Sequence, residues 1–238
     1  MNVIIFGATG MVGQSVLREC LCDPDICSVM AIGRTVSGVR HEKLREIVQA
    51  DLWHYAAIES ELTGFDACFF CLGVSSAGMR EAEYAHLTYD LTLAAAGTLC
   101  RLNPQMVFIY VSGSGTDSTE QGSSMWARVK GRTENALLRL PFKAAYMFRP
   151  GVIRPLHGIR SRTRSYRMLY ALLAPVLPLA QRAFPAAIAT TDTLGRAMIE
   201  VAKHGTAKTY LENADILAVS QSAESRDRGK GRLTNAAS

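Results

Sequence analysis

The stretch Val3-Ile4-Ile5-Phe6-Gly7-Ala8-Thr9-Gly10-Met11-Val12-Gly13 constrains the fold of this chain more than any other. Its apolar start predicts a buried strand. Met11 to Leu21 predicts an amphipathic helix with Gly13, Val16, Leu17 and Cys20 on one stripe. Between them, Gly7 permits a sharp turn off the strand and Gly10 lets a bulky anion approach the backbone. Gly13 lets the helix pack close to the sheet. Free N–H groups at the helix start, at the positive end of its dipole, attract phosphate. Strand, glycine turn and helix in this order predict a pyrophosphate site for a dinucleotide, built from Gly7, Thr9, Gly10, Met11, Val12 and Gly13. An ordinary tight strand-to-helix turn is the alternative.

The rest of the chain repeats the alternation. Strands are predicted at Ser28–Arg34, Arg45–Ala50, Asp66–Leu72, Gln105–Val111 and Ala144–Phe148. Helices are predicted at Ala56–Leu62, Glu81–Leu102 (with Leu87, Leu91, Ala95 and Leu99 inward), Ser124–Leu140, and from Thr191-Asp192 to Gly205. The pattern predicts an α/β fold, a doubly wound parallel sheet with helices on both faces and a small C-terminal helical cap. Residues 1–218 read as a single dinucleotide-binding domain, 154–190 as the cap segment, and the polar 219–238 as a disordered tail.

The composition, 48% hydrophobic and 20% charged, is that of a globular chain. A net charge of +5, part of it in the last residues, predicts no nucleic-acid surface. The most apolar run, Met168–Ala180, is short and broken by Pro175 and Pro178, so no integral membrane segment is expected. The first strand starts within three residues of Met1, which predicts no secretory leader and a cytoplasmic location. Cys68 and Cys71 form a Cys-x-x-Cys, but odd spacing on a strand sends the thiols to opposite faces, and no metal site is predicted.

At the end of the second strand, where an acidic residue would accept hydrogen bonds from a ribose 2′-OH, the chain has Gly33-Arg34-Thr35. A guanidinium pairs with a 2′-phosphate, and Thr35 adds a hydroxyl, so NADP is favoured over NAD. A solvated arginine at a strand end is the alternative. Asp51-Leu52, ending the third strand, would bracket the adenine, unless Asp51 merely begins a turn. The arginines at 160, 162, 164 and 167 suggest an anionic small-molecule substrate, and a solvated basic loop explains them equally well. Oligomeric state is not legible.

The glycine turn, Gly33-Arg34, Asp51-Leu52, Cys71-Leu72-Gly73, Val111-Ser112, Val129-Lys130-Gly131 and Arg149-Pro150-Gly151-Val152 occur in this order. Together, from Val3 to about Ile199, they resemble the extended and atypical short-chain dehydrogenase/reductases. The nearest branch is the Tat-interacting-protein-like oxidoreductases, often grouped with NAD(P)-dependent epimerases. The resemblance implies a Rossmann fold in which Leu72 and Gly73 line the cofactor and Lys130 hydrogen-bonds the nicotinamide ribose. Pro150, Gly151, Val152 and Ile153 would meet the carboxamide, and the hydroxyl of Ser112 or Ser114 would face the substrate.

One departure from that family is chemical. Its Tyr-x-x-x-Lys reads here as Trp126-Ala127-Arg128-Val129-Lys130. An indole N–H donates a hydrogen bond but does not titrate, so Trp126 cannot move the proton a tyrosine would. The resemblance implies an oxidoreductase or epimerase-type enzyme on a small carbonyl or hydroxyl substrate. A catalytically weak NADPH-binding redox sensor or partner-binding regulator is the alternative.

Overall fold

The computed structural model describes residues 1–157 and 188–235. Strand β1 (Asn2–Phe6) shows why the first run is apolar throughout. Val3 and Ile5 enter one hydrophobic layer and Ile4 and Phe6 the other, all fully buried. A strand covered on both faces has no polar side to alternate with.

Helix α1 (Met11–Cys22) returns the chain to β2 (Ser28–Gly33) and β3 (Leu44–Val48). A 3₁₀ segment (Ala56–Glu61), β4 (Ala67–Phe70), α2 (Glu81–Ala85), a π turn (His86–Asp90) and α3 (Leu91–Leu102) follow. Next come β5 (Val107–Val111), α4 (Met125–Leu138), β6 (Ala144–Arg149) and β7 (Val152–Arg154). Then β8 (Ile188–Thr190), α5 (Thr191–His204), β9 (Tyr210–Glu212) and α6 (Asn213–Asn235) complete the described chain.

Seven strands form one sheet in the order β3-β2-β1-β4-β5-β6-β9, and every neighbouring pair is parallel. This is the doubly wound Rossmann architecture. The chain goes one way from β1 to β2 and the other from β1 to β4, which opens a crevice beyond the carboxyl ends of those strands. A separate pair, β7-β8, lies after the β6 end.

On one face α1 and α5 pack on Val3, Ile5, Phe69 and Ile109, with Val16, Leu17, Leu194 and Met198 between them. Ion pairs run along their shared edge: Arg196–Glu19 at 2.9 Å and Lys203–Asp23 at 2.7 Å. On the other face an aromatic row crosses the sheet, Phe6–Phe70 at 5.2 Å and Phe70–Phe108 at 5.9 Å between ring centroids. Each such pair adds about 0.5–1.5 kcal/mol beyond its buried area. Cys68 packs in this layer and Cys71 against the opposite one.

Several expectations change. The long helix contains a π turn, and Tyr84 and Thr88, not Leu87, are its buried residues there. The third strand runs Leu44–Val48, ending before Ala50. The N-cap of α5 is Thr190, whose hydroxyl accepts the Thr193 N–H at 3.1 Å, so Thr191 and Asp192 already lie within the helix. Residues 219–235 continue helix α6 where a disordered tail was expected. Its first half is held to α5 by buried Ile216 and Ser220, an Arg196–Glu224 ion pair at 2.6 Å, and an Arg226–Glu200 pair. The arginines at 160–167 and the apolar run 168–180, most of the expected cap, lie outside the described residues.

Candidate functional site

A cleft of about 1180 Å³ opens above the carboxyl ends of β1, β2, β4 and β5. At its centre is the glycine turn. Gly7 adopts φ +81°, and the Gly10 N–H donates to the Gly7 carbonyl at 2.9 Å. A Cβ on Gly13 would sit 2.0 Å from that same carbonyl oxygen, so only glycine lets α1 start this close to the turn. Gln14 Nε2 donates to Thr9 O at 2.9 Å and braces the loop. Gly10 is the N-cap and brings no side chain to the helix start, leaving the N–H groups of the first turn for a ligand.

One end of the cleft is bounded by Arg34, Thr35 and Val36 after β2, and by Glu46, Ile47, Val48 and Leu52. Arg34 is exposed. Glu46 Oε1 accepts the Ser37 backbone N–H at 2.7 Å, which pins the loop after β2 to β3. Asp51 is not part of the cleft wall. Its carboxylate accepts the Trp53 N–H at 2.9 Å and contacts His54 Nδ1 at 2.8 Å, and these bonds hold it below the usual aspartate range. Asp51 therefore sits as a turn aspartate, and of the expected pair only Leu52 lines the cleft.

The other end is bounded by Leu72 and Gly73 after β4, by Val111–Ser114 after β5, by Trp126 and Lys130 on α4, and by Pro150–Ile153. Lys130 Nζ reaches from α4 to the end of β5, donating to Ser112 O at 2.5 Å, and lies 5.6 Å from the Tyr110 ring centre. Desolvation by this packing pushes its pKa down to about 8, against the opposite pull of Glu134. Gly131 lets α4 approach the preceding loop: a Cβ there would overlap the Asp117 carbonyl at 1.8 Å.

The two candidate serines differ. Ser112 is buried, and its hydroxyl donates to Glu134 Oε1 at 2.5 Å, with Phe148 O at 3.2 Å. Glu134 is itself fully buried and is gripped by Arg149 through Nε at 3.0 Å and a second guanidinium nitrogen at 2.5 Å. Both expected serines line the cleft, but the Ser112 hydroxyl is already engaged with Glu134 and Phe148 O. Ser114 is exposed on the cleft wall, fixed through its backbone N–H to Pro150 O at 2.9 Å. Trp126 lines the same end, its ring edge within 3.6 Å of where a Gly115 Cβ would stand.

Three wall or support residues escaped sequence reasoning. Tyr84 lines the cleft as a buried residue of α2. Glu134 lies one helical turn past Lys130, and that spacing was its only signal. Glu46 is half-buried on a strand that gives no clean alternation.

Comparison with known proteins finds relatives of this chain in sequence and in fold. The protein fmp52, mitochondrial, of Emericella nidulans is 31% identical over 159 residues, 64% of this chain and 66% of that protein. The protein fmp52-1, mitochondrial, of Aspergillus terreus is 30% identical, over 68% of this chain and 70% of that one. These names overturn the expected cytoplasmic location: such relatives, including FMP52 of Candida albicans, are named mitochondrial. The first-strand argument failed because it addressed only a secretory leader. Among the described residues no helix is long and apolar enough to cross a membrane.

Among solved structures, the Bordetella bronchiseptica enzyme WbmF in complex with NAD+ superposes with a TM-score of 0.66 at 14% identity, covering 91% of this chain and 76% of that one. A Methanobrevibacter ruminantium UDP-N-acetylglucosamine 4-epimerase, in complex with UDP-N-acetylmuramic acid, gives 0.66 at 16%, covering 89% and 75%. These likenesses concern the fold. In sequence, residues 3–124, from β1 through the glycine turn to the end of the β5 loop, match the model of the NAD dependent epimerase/dehydratase family, and the chain belongs to that family.

Proposed function

We propose that the chain is an NADP(H)-dependent oxidoreductase or epimerase-type enzyme acting on a small carbonyl or hydroxyl substrate. One observation carries the reading: a single cleft joins Arg34, the glycine turn, and the group Ser114, Trp126 and Lys130. Gly10 supports the fit of a dinucleotide. A Cβ there would meet only the Gly7 carbonyl oxygen, at an ordinary 3.4 Å, so the protein's own packing does not require glycine. The opening it leaves suits a pyrophosphate held by the first N–H groups of α1. The NAD+ carried by WbmF supports the same class of ligand.

A nicotinamide dinucleotide bound there supplies hydride exchange with the substrate. In this reading Arg34 and Thr35 hold the 2′-phosphate, Lys130 holds the ribose hydroxyls, and Pro150–Ile153 meet the carboxamide. Ser114 offers its hydroxyl to the substrate oxygen. Trp126 walls the substrate side without supplying a proton, so that proton comes from solvent or from another group. The same indole favours the second reading, a catalytically weak NADPH-binding sensor.

Calorimetry with NADPH and NADH tests the cofactor assignment. NADPH should bind the wild type more tightly, and Arg34→Ala should lose about 1.5–3 kcal/mol for NADPH, the range of a charge-assisted hydrogen bond. Equal wild-type affinities for the two nucleotides would sink the NADP preference.

A further inference from the structure

We propose that Glu46 determines cofactor specificity, its carboxylate limiting the preference for a 2′-phosphorylated dinucleotide that Arg34 creates. This rests on the cofactor reading above. Glu46 is on β3, paired with Ala31 of β2, just short of the strand ends where the cleft opens. It lines the cleft together with Arg34, Thr35 and Val36. Its Oε1 takes the Ser37 backbone N–H at 2.7 Å.

The loop that follows β2 therefore holds two opposed devices. Arg34 brings a guanidinium to this end of the cleft, and Glu46 brings a carboxylate to the same end, where it also accepts the Ser37 N–H. A 2′-phosphate entering here gains Arg34 but meets a like charge that is partly shielded from water, where repulsion is stronger than at an open surface. A 2′-hydroxyl meets no such repulsion. Glu46 thus acts on the difference between the two dinucleotides rather than on binding as a whole.

Glu46→Gln separates charge from shape, because the amide oxygen can still accept the Ser37 N–H. Glu46→Thr is a second neutral variant, compatible with an edge strand. The probes are NADPH and NADH, with 2′,5′-ADP and 5′-ADP to isolate the adenosine end, all by calorimetry on the full chain. The neutral variants should bind NADPH and 2′,5′-ADP at least about threefold more tightly, with NADH and 5′-ADP within about twofold of the wild type. An unchanged ratio in whichever neutral variant folds would overturn the proposal and leave Glu46 as a loop pin. A wild type that binds neither NADPH nor NADH would overturn the cofactor reading itself, and this inference with it.

Discussion

Ser112 Oγ donates to Glu134 Oε1 at 2.5 Å, which engages the hydroxyl of the first serine after β5 with the protein itself although the residue lines the cleft. Arg149 donates to both oxygens of that carboxylate and also reaches Glu212 at 3.2 Å. The end of β5, the start of the Pro150 loop and helix α4 are thereby tied through one buried anion.

Removing that anion should be costly. Glu134→Ala leaves a guanidinium half-satisfied in a nearly closed site and should destabilise the protein by about 3–5 kcal/mol. Urea unfolding would read this as a lower midpoint at unchanged slope. A loss below about 1 kcal/mol would mean that water or Glu212 compensates the arginine fully.

The two serines should separate functionally. Ser112→Ala should lower stability by about 1.5–3 kcal/mol, the worth of a hydrogen bond to a charged group, without altering substrate turnover per folded molecule. Ser114→Ala should leave the unfolding midpoint unchanged and reduce turnover. The reverse pattern would return Ser112 to the substrate.

Lys130 makes the protein sensitive to mild alkali. Its folded pKa lies at about 8, below the ordinary lysine value of 10.5. Between those values the unfolded chain keeps a proton the native chain has lost, so native stability should rise with pH there, relative to Lys130→Met. Below about pH 8 the cost of burying the ammonium is present in full. In the proposed binding mode cofactor oxygens at Nζ would favour the charged form, so NADPH affinity should fall above that pH, by at most about tenfold per unit. Lys130→Met should show no such fall, which calorimetry between neutral and alkaline buffers would check.

Trp126→Tyr should raise the slow reduction of generic aldehydes, ketones or quinones by more than tenfold, within the roughly 10²–10⁴ that a general acid contributes. NADPH binding should not weaken. Brisk wild-type turnover that the change lowers would make the indole part of a true substrate pocket. Tight NADPH binding with no turnover in either protein would favour the sensor.

Gly10→Val should abolish binding of both dinucleotides while leaving the far-ultraviolet circular dichroism and unfolding midpoint close to those of the wild type. Normal NADPH binding by that variant would place the pyrophosphate elsewhere.

What could be read in advance was whatever lies close together along the chain. The strand, turn and helix from Val3 to Gly13 carry their own period and their own glycines, and the βα alternation follows from local patterning. Pairings distant in sequence left no mark. Nothing around Ser112 announces a carboxylate 22 residues later, and nothing in Ser37 announces Glu46. Strand β9 is three residues long, too short for a period to show. Asp51 carried two readings because an aspartate at a strand end serves a turn as readily as a ligand, and its bonds to Trp53 and His54 follow the turn.

The pairing of α1 with α5 has a consequence for synthesis. Ser15 bonds Asp192 across 177 residues, and Leu194 and Met198 cover the stripe of α1 that carries Val16 and Leu17. At the ribosomal pace of about 5–20 residues per second, that stripe waits on the order of 10–40 seconds for its cover. During that interval the glycine turn leads into a helix that lacks its α5 cover. The nascent chain therefore exposes the apolar stripe of α1 beside the glycine turn until α5 has been made.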